Sequence, residues 1–127
     1  MITAVHTIVY AEDADAARAF FRDVLGLANV DAHGGWLIFQ LPPGELGVHP
    51  ASEPGAPSGH HEFYLMCDDI EKTVDDLQAV GVEFTGPVDN QGFGLVTSFR
   101  IPGAGSMGLY QPRHATAYDL PPDAATT

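Results

Sequence analysis

Residues 6–27, HTIVYAEDADAARAFFRDVLGL, carry the clearest structural pattern in the sequence. The first residues of this stretch belong to a run of β-branched and aromatic residues, 3–10, which predicts a strand. Apolar residues at helical spacing follow and predict an amphipathic helix over residues 13–25. Asp13 suits the helix N-cap, and Gly26 suits the position that ends the helix. The other predicted strands of this βαβββ unit are residues 28–32, 36–41 and 45–49.

The same pattern returns in EFYLMCDDIEKTVDDLQAVGVEF, residues 62–84. Aligning His6 with Glu62 places Asp13 on Asp69, so a second helix with the same kind of N-cap is expected over residues 70–80. Its companion strands are predicted at residues 62–67, 82–88, 95–101 and 106–111. We therefore expect an α+β protein of two βαβββ modules, with eight strands and two principal helices.

Neither unit carries enough apolar surface for a core of its own, so the two are expected to share one half-barrel with the helices outside. The Pro- and Gly-rich segment PASEPGAPSG lacks hydrophobic periodicity and is typical of a linker. The expected organisation is a single domain over residues 1–127, with a first module at 1–49, a linker at 50–59, a second module at 60–112 and a weakly ordered tail at 113–127.

Alternate residues of the predicted strands differ in character. One set is largely apolar and is expected to pack under the helices. The other set mixes polar and aromatic residues, which is typical of a ligand cavity: His6, Ile8, Tyr10, Gly47, His49, Glu62, Tyr64, Met66, Gly108 and Tyr110. A sheet with one solvated face produces the same alternation, and that alternative stays open.

The composition excludes several classes of function. Seventeen acidic residues against five Lys and Arg give a net charge of −12, which argues against nucleic acid and against an anionic membrane surface as partners. A single cysteine forms no internal disulfide, and no apolar stretch suits a signal peptide or a membrane span, so we expect a cytoplasmic protein. No P-loop, dinucleotide fingerprint or nucleophile elbow is present in the sequence.

The two repeated stretches and the closing IPGAGSMGLYQP resemble the vicinal oxygen chelate superfamily over residues 3–112. This superfamily includes glyoxalase I, bleomycin-resistance binding proteins, fosfomycin-resistance enzymes and type I extradiol dioxygenases. The resemblance implies the half-barrel of two βαβββ modules and a homodimer, and open sheet edges favour a dimer as well. It leaves open whether the modules pair within one chain or between two chains, and one scaffold hosts many functions.

The resemblance also locates the metal ligands of the metal-dependent members. Their positions correspond here to His6, Gly47, Glu62 and Gly108, of which only His6 and Glu62 can ligate a metal. Since a catalytic ion normally has about three protein ligands, the usual site is incomplete. His49 shares the strand face of Gly47 and offers a two-His, one-carboxylate set, although two residues along a strand displace it by roughly 6 to 7 Å.

The predicted walls of the cavity carry the other candidate residues. Flat aromatic faces suit a planar or cationic ligand, and the alternative role for each ring is to fill the core. Arg100 is expected to receive a ligand carboxylate, to balance Glu62, or to be a charge at the end of its strand. The candidate ligand-binding residues are Tyr10, Trp36, Gln40, Tyr64, Arg100 and Tyr110.

Three functions compete at this point. The first is a small-molecule-binding protein of the bleomycin-resistance type with a degenerate metal site, no cofactor and a neutral or cationic ligand. The alternative is a lyase, isomerase or dioxygenase that uses one divalent metal ion, with Glu62 as ligand or base. The third is an interaction module with a vestigial cavity. The glycines at positions 47 and 108 favour the first, because they remove ligands and widen the groove.

Overall fold

The computed structural model describes residues 6–45, 47 and 62–121. The helix of the first unit begins as α1, Ala14–Ala19, and continues as a π-helical turn, Phe20–Val24. The Asp13 carboxylate accepts a hydrogen bond from the Ala16 amide at 3.0 Å, which satisfies one of the free N–H groups at the helix start. The predicted N-cap is confirmed.

The rest of the first unit is a small antiparallel sheet. Strand β1, Asn29–Asp31, pairs with β2, Leu37–Phe39, and the His33–Gly35 turn joins them. Gly34 and Gly35 have φ values of 57° and 93°, a region that favours glycine. Phe39 reaches the helix, since its ring centroid lies 5.7 Å from that of Phe21.

The second unit forms the larger sheet. Its elements are β3, Tyr64–Met66; α2, Ile70–Ala79; β4, Asp89–Asn90; β5, Gly94–Arg100; and β6, Ser106–Pro112. The described strands have the order β3-β6-β5-β4, with β3 parallel to β6 and the other pairs antiparallel. Helix α2 starts at the predicted N-cap, because the Asp69 carboxylate accepts from the Lys72 amide at 3.1 Å.

The core lies between the helices and one face of the larger sheet. Phe99 and Ile70 are fully buried, and Leu109 and Met107 are buried beside them. Leu65 and Cys67 pack against the same cluster, as the strand alternation predicted. The π-helical turn that follows α1 contributes Phe20, whose ring centroid lies 6.1 Å from that of Phe99.

Two predicted strands are wrong in the described residues. Residues 6–10 have strand-forming side chains but lie in no strand, because no described segment pairs with them, and a β-strand needs a partner. Residues 82–88 make only one bridge, Phe84 to Phe99, because Gly86 and Pro87 interrupt the ladder and proline lacks an N–H. Strand β4 follows that interruption.

The α+β fold is confirmed, and the half-barrel and the module boundaries stay predictions. Most of the predicted strand at 45–49 and the whole 50–59 linker lie outside the described residues. None of the helices in the described part of the chain has the length and apolar character that a membrane span requires.

Candidate functional site

The face of the larger sheet that points away from the core carries the candidate site. The register places Tyr64 of β3 beside Gly108 of β6, and Gly108 beside Ser98 of β5. A groove of about 440 Å³ runs over this face. It is lined by Glu62, Phe63, Tyr64, Thr85, Gly86, Pro87, Asp89, Gln91, Val96, Thr97, Ser98 and Gly108.

Two glycines of this face lie directly under tyrosine rings. A Cβ built on Gly108 would overlap the ring of Tyr64, and a Cβ built on Gly94 would overlap the ring of Tyr110. A glycine on a strand often marks a place where another group approaches the backbone closely. The absent side chain at Gly108 therefore does not leave an empty space, because the ring of Tyr64 takes it.

Tyr64 is also tied to Glu62. Its hydroxyl donates to the Glu62 Oε2 atom at 2.9 Å. Partial burial raises the pKa of Tyr64 above its ordinary value, and the hydrogen bond and negative charge of Glu62 raise it further. The tyrosine therefore stays a neutral donor that orients the carboxylate in the groove.

An aromatic row continues from Tyr64 across the sheet. The centroid of the Tyr110 ring lies 6.1 Å from that of Tyr64, 5.9 Å from that of Phe93 and 5.8 Å from that of His114. These centroid distances are in the range of favourable aromatic contacts. Phe93 is 54% exposed and Tyr64 is 41% exposed, so part of the row is open to a ligand.

The other side of the groove is polar. The hydroxyls of Thr85 and Ser98 hydrogen-bond to each other, and the Thr97 hydroxyl donates to the Gly86 carbonyl at 3.1 Å. Among the described lining residues, Glu62 and Asp89 are the charged ones, and both are acidic. The groove can therefore stack a planar group, hydrogen-bond a polar substituent and attract a positive charge.

The described residues do not fit the metal centre that the resemblance implies. Gly108 offers no ligand and lies under Tyr64, and Gly47 offers no side chain either. His6 is exposed, and the described residues contain no cluster of three His, Cys, Asp or Glu side chains able to hold a metal. His49, the proposed third ligand, lies outside the described residues, so the set of His6, His49 and Glu62 stays a prediction.

The remaining predicted site residues lie away from this groove. Tyr10 is 89% exposed and shares a second cavity, about 720 Å³, with Arg100. The guanidinium of Arg100 lies 3.8 Å from the Glu83 carboxylate, so in the structure it is a charge at a strand end. Trp36 stacks under the guanidinium of Arg18 at 4.9 Å, and Gln40 is exposed just after β2. The structure thus brings together Tyr64, Tyr110 and Glu62.

Several residues of the site had not been singled out from sequence. Phe93 lies in the connection between the predicted strands 82–88 and 95–101, Thr85 lies in the middle of the first of these strands, and His114 lies in the tail that is predicted to be weakly ordered. A signal for Phe93 was available, because Gly94, on the face of β5 that carries the site, leaves room for aromatic neighbours. No local signal points to His114.

Comparison with solved structures supports the same fold. A lactoylglutathione lyase from Agrobacterium tumefaciens has a TM-score of 0.60 and 21% identity over 87% of this chain and 94% of its own. TnmS3, an antibiotic binding protein from Streptomyces sp. CB03234, has a TM-score of 0.56 and 25% identity over 87% of this chain and 99% of its own. A Sphaerobacter thermophilus protein of the glyoxalase/bleomycin resistance protein/dioxygenase superfamily has a TM-score of 0.59 and 26% identity over 87% and 98%.

No curated protein matches the chain. The family described as the Glyoxalase/Bleomycin resistance protein/Dioxygenase superfamily matches residues 3–110, which include both repeated stretches and most of the two sheets. The resemblance drawn from those stretches is confirmed. This chain therefore belongs to the Glyoxalase/Bleomycin resistance protein/Dioxygenase superfamily.

Proposed function

We propose that this chain is a small-molecule-binding protein of the glyoxalase/bleomycin-resistance type, whose ligand is a planar organic cation held on the aromatic face of its larger sheet. The observation that carries the proposal is the ring of Tyr64 over Gly108. At that position the metal-dependent members carry a ligand to the ion, and here the position presents an aromatic surface.

The charges of the groove support a cation. Glu62 and Asp89 line it, and the chain as a whole carries a net charge of −12. A positive planar ligand gains attraction from the carboxylates and from the faces of the tyrosine rings. The 25% identity with an antibiotic binding protein from Streptomyces agrees with a binding function without establishing the ligand.

The test compares two planar probes that differ by one N-methyl group and by charge. N-methylacridinium is cationic and acridine is neutral at mildly alkaline pH, so their difference in affinity isolates the charge. We expect the cation to bind more tightly. Tyr64→Leu should weaken it by roughly fivefold, the equivalent of about 1 kcal/mol from one lost ring contact. Tyr118→Leu, at an exposed tyrosine outside the groove, is the matched control and should bind as the native protein does.

Isothermal titration calorimetry measures these affinities, and elemental analysis of protein purified without chelator measures metal. Equal affinity for the two probes would contradict the cationic ligand, and absence of binding would contradict the site. One equivalent of metal per chain that is lost in Glu62→Ala would instead support a metal-dependent lyase, isomerase or dioxygenase, with His6, His49 and Glu62 as the ligands.

The proposal includes a homodimer in the cytoplasm. Ile8 and Val30 of the first unit are 63% and 66% exposed, which is apolar surface that a second copy would cover. Light scattering should give a mass of twice 13.5 kDa. A mass of one chain at micromolar concentration would contradict the dimer.

A further inference from the structure

The chain continues past the last residue that the family matches, residue 110, and folds back on the sheet. We call residues 113–117 the C-terminal strap. At its start, the Arg113 amide donates to the Phe93 carbonyl at 2.9 Å, and the Arg113 guanidinium donates to the Asn90 Oδ1 atom at 2.8 Å. The strap is therefore attached to the turn between β4 and β5, at the Phe93 end of the aromatic row.

The next residue of the strap extends that row. The imidazole of His114 packs against Tyr110 with a centroid distance of 5.8 Å and an angle of 35° between the rings. Its side chain is 41% exposed, so it presents a surface as well as a contact. His114 thus adds a fourth ring to the aromatic row at this end.

A carboxylate of the first unit holds the strap in place. Glu45 Oε2 accepts a hydrogen bond from the Ala117 amide at 2.7 Å, and Glu45 Oε1 lies 3.6 Å from His114 Nε2. The side chain of Glu45 is only 15% exposed. Glu45 and Ala117 are 72 positions apart, so this one side chain links the two units of the chain.

Glu45 lies close to the candidate site both in the sequence and in its electrostatic effect. Glu45 begins the predicted strand at 45–49, and it shares the predicted face of Gly47, where the resemblance places one of the metal-ligand positions. Its negative charge also contributes to the raised pKa of Tyr110, after partial burial, so its electrostatic influence reaches the aromatic row.

We propose that the C-terminal strap is a positioning element of the ligand site, in which Glu45 holds Ala117 and His114 so that the His114 ring forms the outer wall of the aromatic row. The inference rests on the proposed function for the ligand and on the described contacts for the strap. Glu45 is a positioning residue that acts through His114.

Amide hydrogen exchange at Ala117, followed by NMR in the full chain, tests the contact without any ligand. Glu45→Ala removes the acceptor and should speed this exchange at least tenfold. Glu45→Gln keeps an oxygen acceptor and should restore protection. Asp75→Asn removes one negative charge from an exposed site on α2 and should leave the exchange unchanged. Unchanged exchange in Glu45→Ala would overturn the proposal.

The affinity for neutral acridine then separates position from charge. We expect Glu45→Ala and His114→Ala to weaken it about threefold to tenfold, and Glu45→Gln to restore it to within about twofold of the native value. Ala117→Pro removes the same hydrogen bond from the other side, because proline has no N–H, and should weaken binding as Glu45→Ala does. A thermal melt of each variant checks that it is folded.

The possible failures are distinguishable. If Glu45→Ala exposes the Ala117 amide but acridine binds as before, the strap is merely structural and the positioning role is wrong. If the native protein binds neither acridine nor N-methylacridinium, the proposed function fails and the ligand role of the strap fails with it, whatever the exchange shows. The inference is supported if Glu45→Ala loses protection of the Ala117 amide and binds acridine more weakly, and if Glu45→Gln recovers both properties.

Discussion

Adding one methyl group at Gly108 tests the arrangement that carries the proposed site. Gly108 does not have a positive φ, so alanine can adopt its backbone conformation. By itself, Gly→Ala inside a strand stabilises a protein by about 0.5–1 kcal/mol, because the unfolded chain loses freedom. Here the new Cβ would overlap the ring of Tyr64. The ring must move, and inserting a methyl group into a packed position costs about 1–3 kcal/mol.

The backbone effect stabilises the protein and the overlap destabilises it, and the overlap disappears when the Tyr64 ring is removed. Tyr64 is 41% exposed, so its ring can swing outward and the cost lies near the middle of that range. Gly108→Ala should therefore destabilise the native protein by about 1 kcal/mol. In a Tyr64→Ala background it should stabilise the protein by about 0.5–1 kcal/mol, which gives a coupling energy of about 2 kcal/mol between the two positions.

Denaturant unfolding of the four proteins in this cycle measures the coupling. Gly86→Ala is the control, because a Cβ at Gly86 meets no atom within 4 Å and should not couple to Tyr64. Stabilisation by Gly108→Ala of equal size in both backgrounds would show that the ring does not lie over Gly108. It would also remove the observation on which the binding function rests.

Three further outcomes test the fold and the site. Phe99→Ala, at a fully buried side chain, should lower the free energy of unfolding by about 3–5 kcal/mol, measured by denaturant titration. Asp69→Ala should cost about 1 kcal/mol by the same measurement, because the Lys72 amide loses its cap. Tyr64 should ionise at higher pH than an ordinary tyrosine, and Glu62→Gln should lower that pKa, as followed by ultraviolet titration with Tyr64→Phe as the reference. Because folding raises the pKa of Tyr64, the neutral tyrosine contributes to the free energy of unfolding. This contribution is fully present below the pKa that Tyr64 has in the unfolded chain, and it is lost as the pH rises through the pKa of the folded protein.

Features that depend on neighbouring residues could be predicted from the sequence. Asp13 and Asp69 cap their helices as predicted, because a cap bonds an amide only three residues away. The alternation along β3 and β6 was also readable, because successive side chains of a strand point to opposite faces. These local patterns place Tyr64 and Tyr110 on one face, with Glu62 just before β3. The repetition of the strand and helix pattern carries the resemblance to the family that matches residues 3–110.

Contacts between groups that are far apart in the chain could not be predicted from the sequence, because they depend on the folded arrangement. Residues 6–10 have the composition of a strand, yet no described segment pairs with them. From the sequence, Arg100 is expected to receive a ligand carboxylate, to balance Glu62 or to be a charge at a strand end, and in the structure its guanidinium lies beside Glu83. Glu45 meets Ala117 across 72 positions, and Tyr64 covers Gly108 across 44 positions that include a helix. Such contacts depend on strand pairing and packing, since the free energy of a long-range contact is set by everything else that the fold has already brought together.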